Sequence, residues 1–118
     1  MTTTPQYQPI EEISVKELAL RLADRDQIQL IDVRELAEIA IVQLEGFTVL
    51  PLSQYEQWSE SINDRLDPHK ETLVICHHGV RSAQMCQWLQ MQGFINVKNI
   101  VGGIHAYSQH IDPSLPQY

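Results

Sequence analysis

Short apolar runs alternate along this chain with stretches whose apolar residues recur at helical spacing, and that alternation restricts the fold more than any other feature. Ile28–Val33, Phe47–Leu50, Thr72–Ile75 and Val97–Val101 read as strands, the second stopped by Pro51. Ser14 with Glu17 has capping-box spacing and opens a short helix carrying Leu18, Leu20, Leu22, Ala19 and Ala23. Glu35–Ile41 reads as a second helix. Ser53 with Glu56 repeats the capping spacing ahead of Tyr55, Trp58, Ile62 and Leu66, which lie on one helical face. Ser82–Gln92 reads as a helix with Met85, Cys86 and Leu89 inward, Trp88 nearby, and Gly93 at the C-cap glycine position. Gly102-Gly103 then turns into a short helix around Ile104–His110, and Asp112–Pro116 is irregular. Strands alternating with helices predict an α/β domain with a mainly parallel sheet. The polar stretch 1–9 reads as a flexible tail and 10–118 as one domain.

The run Thr72–Ile75 ends on Cys76, and His77-His78-Gly79-Val80-Arg81-Ser82 leads into the next helix. This order puts a thiol at the carboxyl end of a strand, facing a helix N-terminus. In parallel sheets ligands bind at that end. Helix N-terminal N–H groups and the helix dipole favour an anion there, and they favour thiolate, the nucleophilic form, over thiol. Asp32 and Arg34 fall at the corresponding end of another strand. The residues therefore point to nucleophilic cysteine chemistry on an anionic substrate.

Composition narrows the partners. Fifteen acidic residues against eight Lys and Arg give a formal net charge of −7, and no basic run appears. That excludes nucleic acid or an anionic membrane as the main partner. No apolar stretch approaches the roughly 20 residues of a membrane span, and the N-terminus lacks the apolar core of a secretory signal. With two cysteines, Cys76 and Cys86, on different elements, a reduced cytoplasmic setting is the simpler reading. No metal site is expected: the chain has no C-x-x-C pair, and the adjacent side chains Cys76-His77-His78 do not easily converge as ligands.

Two blocks of the chain resemble the rhodanese-like sulfurtransferase domain. The first is Leu30-Ile31-Asp32-Val33-Arg34-Glu35, continuing through Glu38 to Gly46 and Pro51-Leu52. The second is Val74-Ile75-Cys76-His77-His78-Gly79-Val80-Arg81-Ser82, continuing through Leu89, Gly93-Phe94, Asn96-Val97 and Gly102-Gly103-Ile104. Where many members have Gly-His-Ile-Pro-Gly, this chain has Val42-Gln43-Leu44-Glu45-Gly46, and Tyr107 stands where tryptophan is common. The resemblance implies a three-layer fold, a sheet of about five strands with helices on both faces. It implies a sulfane sulfur carried as a persulfide on Cys76, from a donor such as thiosulfate to a thiol or cyanide, with no cofactor. His77, His78, Gly79, Val80, Arg81 and Ser82 would supply the substrate-binding loop, its backbone N–H groups forming a nest for the second sulfur. Gly79 would permit its sharp turn.

Several readings stay open on sequence. Arg81 either orients an anionic donor or is tied to a carboxylate such as Glu35 or Asp32. Asp32 and Arg34 are expected to brace the neighbouring loop. His77 and His78 either tune Cys76 and steer substrates or are plain solvated loop residues. Cys86 reads as a small core residue, with a resolving thiol as its alternative. Cys76 and Arg81 enclose four residues, one fewer than the Cys-x5-Arg loop of cysteine-dependent phosphatases, and the resemblance implies that the shorter loop fits a persulfide sulfur better than a phosphoryl group or arsenate. The remaining alternative is a sulfur-relay or regulatory module that binds a protein partner. The domain is expected to act as a monomer.

Overall fold

The computed structural model describes residues 9–118. The expected tail over 1–9 lies outside the described residues except for Pro9. Five strands form one sheet: β1 (Glu11–Ile13), β2 (Ile28–Asp32), β3 (Thr48–Val49), β4 (Glu71–Ile75) and β5 (Val97–Ile100). Their spatial order is β1-β5-β4-β2-β3, and every pairing is parallel. β4 is the middle strand. Chain connections run outward from β2 to β3 on one side and from β4 to β5 on the other. The strand order therefore reverses between β2 and β4, where parallel sheets open a binding crevice. Asp32 lies in register with Ile75, so both strands end level and deliver Arg34 and Cys76 to the same edge.

Among the described residues six α-helices cover the faces: α1 (Val15–Arg21), α2 (Leu36–Ile41), α3 (Tyr55–Trp58), α4 (Ile62–Arg65), α5 (Val80–Met91) and α6 (Gly103–His110). Side chains alternate across a strand. Accordingly Val74 and Cys76 point into one core with Trp58, Ile62, Met85, Cys86 and Leu89, while Leu73 and Ile75 point into the other with Leu18, Ile104 and Tyr107. The two cores on opposite faces are the three-layer arrangement expected for this chain.

Local chemistry sets several boundaries. The Ser14 hydroxyl accepts from the Glu17 N–H and starts α1. Gly93, at φ +97°, follows α5; its N–H donates to Gln90 O while the Phe94 N–H donates to Leu89 O, a Schellman ending. The single helix expected from Ser53 is corrected. That segment is broken into α3 and α4 by a 3-10 turn at Ser59–Ser61. The Ser61 hydroxyl donates back to Trp58 O, the competition by which serine interrupts helices. Ser53 does not cap: its N–H and hydroxyl both donate to the Glu35 carboxylate. Trp58, Ile62 and Leu66 are still buried, whereas Tyr55 is exposed. β1 has no counterpart among the four sequence-read strands. It is a three-residue edge strand in which only Ile13 is buried, and Glu11 and Glu12 hide it.

Candidate active site

Cys76 follows β4 directly and its side chain is almost fully buried, at 1% exposure. Gly79, the N-cap of α5, donates its N–H to Cys76 Sγ at 3.0 Å. Ser82 Oγ lies 3.2 Å from the sulfur. Asn99, a buried polar residue of β5, completes the set: its Nδ2 donates to Gly79 O, which turns Oδ1 toward Ser82, and the Ser82 hydroxyl donates to that oxygen. A hydroxyl has one proton. With that proton on Asn99, Ser82 accepts from the Cys76 thiol; once the sulfur is anionic, the hydroxyl can rotate to donate to it. The loop thus holds a neutral and a charged sulfur with the same groups. Asn99 escaped sequence reasoning, although a lone asparagine inside the apolar run Val97–Val101 was a usable signal.

Two glycines shape the loop. Gly79 has φ +107°, a conformation side chains rarely adopt. Gly103, at φ +61°, brings the start of α6 against the loop, where Ile104 N–H donates to Cys76 O and His105 N–H donates to His77 O. A Cβ on Gly103 would meet both carbonyl oxygens at 2.4 Å. Gly103→Ala is expected to destabilise the fold by about 2 kcal/mol or more, the left-handed penalty plus the displaced loop, and to slow any Cys76 reaction. Thermal denaturation and thiol-alkylation rates measure the two effects.

Arg81 is tied to a carboxylate, but to Glu38 of α2 rather than Glu35 or Asp32. Nη1 and Nη2 donate to Glu38 Oε1 and Oε2 at 2.6 and 2.9 Å. Glu38 also accepts from the Glu35 N–H and from the Tyr118 hydroxyl. The Arg81 hydrogen bonds are the main reason its carboxyl sits at about 2 instead of 4.5. Glu71, held by Arg21 and then Lys98, is lowered to about 2 as well. Folding lowers both values, so the unfolded chain holds more protons in between. The stability these pairs give is complete above about 4.5 and is lost as pH falls through about 2. Urea midpoints should fall steeply over that interval, and Glu38→Gln should flatten the slope.

Asp32 and Arg34 form an ion pair inside the protein, with Nε and Nη2 of Arg34 donating to the carboxylate. Nη2 also donates to Val42 O, and Nη1 to the Tyr118 hydroxyl. The pair therefore ties the end of β2 to the residues that follow α2.

The remaining loop side chains divide. Val80 stands in solvent. The His77 ring is stacked on Tyr118 at 3.8 Å between centroids and lies 3.9 Å from the His78 ring. Burial, then the charge of His78, pushes His77 below the ordinary histidine value. Cys76, His77 and His78 do not gather as one set, but His77 and His78 meet His105 of α6, and the three imidazoles offer nitrogens within 4.8 Å of one another. Cys86 is fully buried in the α5-side core, and burial pushes its thiol up to about 12, which makes it a poor nucleophile. An apolar pocket lined by Leu52, Tyr55, Trp58, Gln84, Met85 and Trp88 opens beside α5, and no residue of the cysteine loop lines it.

A buried cysteine at the switch point of a parallel sheet, with the N-cap N–H of α5 directed at its sulfur, has parallels among known proteins. The model of the rhodanese-like domain family matches residues 14–110. The chain belongs to the rhodanese-like domain family. A "Sulfurtransferase" from Allochromatium vinosum is 35% identical over 102 residues, covering 86% of this chain and 91% of that protein. The Arabidopsis thaliana "Rhodanese-like/PpiC domain-containing protein 12, chloroplastic" is 49% identical over 116 residues. That alignment covers 96% of this chain, which spans only 39% of the plant protein. The crystal structure of a rhodanese-like domain protein from Staphylococcus aureus superposes with a TM-score of 0.73 at 25% identity, covering 92% of this chain and 99% of that one. These relatives support sulfur transfer in general for this rhodanese-like domain. Among the described residues, no helix is long and apolar enough to cross a membrane.

Proposed function

We propose that Cys76 carries sulfane sulfur as a persulfide between a small anionic donor and a nucleophilic acceptor. The Cys76 thiolate attacks the outer sulfur of a donor such as thiosulfate. A new S–S bond forms, the donor's S–S bond breaks, and sulfite leaves with the bonding electron pair. An acceptor thiolate or cyanide then attacks the outer sulfur and frees Cys76 as thiolate. The observation that carries this reading is the Gly79 N–H directed at Cys76 Sγ at 3.0 Å. It stands at the start of α5, where Val80, Arg81 and Ser82 also lack intrahelical acceptors for their N–H groups. These donors suit a second, negatively charged sulfur beyond Sγ. His77 and His78 follow Cys76 in the loop, and Asp32 and Arg34 brace the neighbouring segment.

The phosphatase alternative is disfavoured by Arg81. Four residues separate it from Cys76, and both its Nη atoms are engaged by Glu38. Arg81 therefore serves here as a brace. A relay to a protein acceptor is the second reading: a net charge of −7 suits a basic partner. The two cysteines are free, and a reducing compartment keeps Cys76 out of a disulfide. The test is a donor and acceptor panel. Sulfite release from thiosulfate with cyanide as acceptor, and no hydrolysis of an aryl phosphate, is the expected pattern. Phosphate release that needs Cys76 would replace this proposal.

A further inference from the structure

His77, His78 and His105 come from two elements that α6 locks together. The locking contacts are backbone bonds, Ile104 N–H to Cys76 O and His105 N–H to His77 O, so they are independent of the histidine side chains. Ring centroids lie 3.9 Å apart for His77–His78, 4.9 Å for His78–His105 and 6.0 Å for His77–His105. One nitrogen from each ring falls within 4.8 Å of the others. Two nitrogens of the trio, His77 Nε2 and His105 Nδ1, are buried and have no hydrogen-bond partner within the protein. A buried polar atom left unpaired is destabilising. Two such atoms in one three-residue cluster call for a common partner.

The geometry points to a three-imidazole site for a late first-row divalent cation, with Zn²⁺ as the best fit, at the edge of the Cys76 loop. Three neutral imidazoles are a natural ligand set for this class of ion. Zn–N bonds of about 2.0–2.1 Å place tetrahedral ligand nitrogens roughly 3.4 Å apart. The three nitrogens lie within 4.8 Å of one another, so the imidazoles must draw closer by side-chain rotation to reach that spacing. Three protein ligands leave a fourth position open, as in sites that exchange a ligand. Two of the ligands directly follow Cys76, so occupancy would also stiffen the loop that presents the sulfur. Cation binding does not depend on the sulfur-transfer proposal.

The untagged full chain should be titrated with Co²⁺ and then Zn²⁺, followed by visible absorption and calorimetry. One equivalent of Co²⁺ with ligand-field bands, no intense thiolate charge-transfer band, and displacement by Zn²⁺ are expected. His105→Gln should weaken binding about tenfold or more, while His110→Gln on the same helix should leave it unchanged. Circular dichroism establishes that each variant is folded, and histidine ring NMR signals of the parent should shift at His77, His78 and His105 but not at His69. Absence of saturable binding would overturn the site. So would full binding in a folded His105→Gln protein, or binding lost in Cys76→Ser but kept in His105→Gln, which would mark a thiolate site instead.

Discussion

Cys76→Ser will reduce sulfur transfer about 10³-fold or more, the scale on which loss of a covalent nucleophile is felt. Serine is close in size, and the Gly79 N–H and Ser82 Oγ around Sγ can bond a hydroxyl equally well. The fold should therefore survive, with a stability change of about 1 kcal/mol or less, in the range of small isosteric core changes. Cys86→Ala separates the two thiols. Cys86 is buried with its thiol pushed up to about 12, so its removal should spare transfer. Steady-state transfer with each variant, alongside urea denaturation, checks both statements. Transfer retained in Cys76→Ser and lost in Cys86→Ala would move the nucleophile to α5.

The largest stability effect is expected at Asp32. Arg34 has no exposed surface, and Asp32 is 1% exposed. Burial works against the guanidinium charge, but the hydrogen bonds to Asp32 and then Tyr118 outweigh it and keep Arg34 charged. Removing only the carboxylate leaves an uncompensated charge in the interior, which costs about 3–5 kcal/mol. Asp32→Ala should therefore lower the urea midpoint sharply with little change in slope. Asp32→Asn, which keeps an acceptor at the same place, should lose less. The damage should reach the active-site edge, because Asp32 is level with Ile75 and Val33 N–H donates to Ile75 O beside Cys76. A loss under about 1 kcal/mol for Asp32→Ala would mean that Val42 O, Glu38 O and Tyr118 suffice to hold Arg34.

The parts of the fold that local pattern encodes were legible in the sequence. Leu73, Val74, Ile75 and Cys76 form an apolar run ending in a glycine loop, and the strand, the turn and α5 follow from that. The three-layer fold and the family came from the same residues. What pattern could not give is partner choice across the chain. Glu38 and Arg81 are 43 residues apart, and sequence proximity to Arg34 offers Glu35 or Asp32 as the partner of Arg81 instead. Only the packing of α2 against the cysteine loop selects Glu38. His105 joins His77 and His78 because Gly103 lets α6 touch two loop carbonyls, a contact no spacing rule contains. Ser59–Ser61 misled for a different reason: the apolar face over Tyr55–Leu66 looked continuous, and a serine back-bond broke the helix beneath it. β1 is too short, and too acidic, to show a period.

The proposal stands or falls on whether sulfur resides on Cys76. The intact protein should be incubated with thiosulfate or with a cysteine-desulfurase donor system, freed of small molecules, and weighed by mass spectrometry before and after a reducing thiol. The expected result is a gain of one sulfur atom, mapped to the peptide carrying Cys76, and its loss to the thiol. A chain that binds or consumes the donor yet never gains sulfur on Cys76, or gains it elsewhere, would contradict the persulfide.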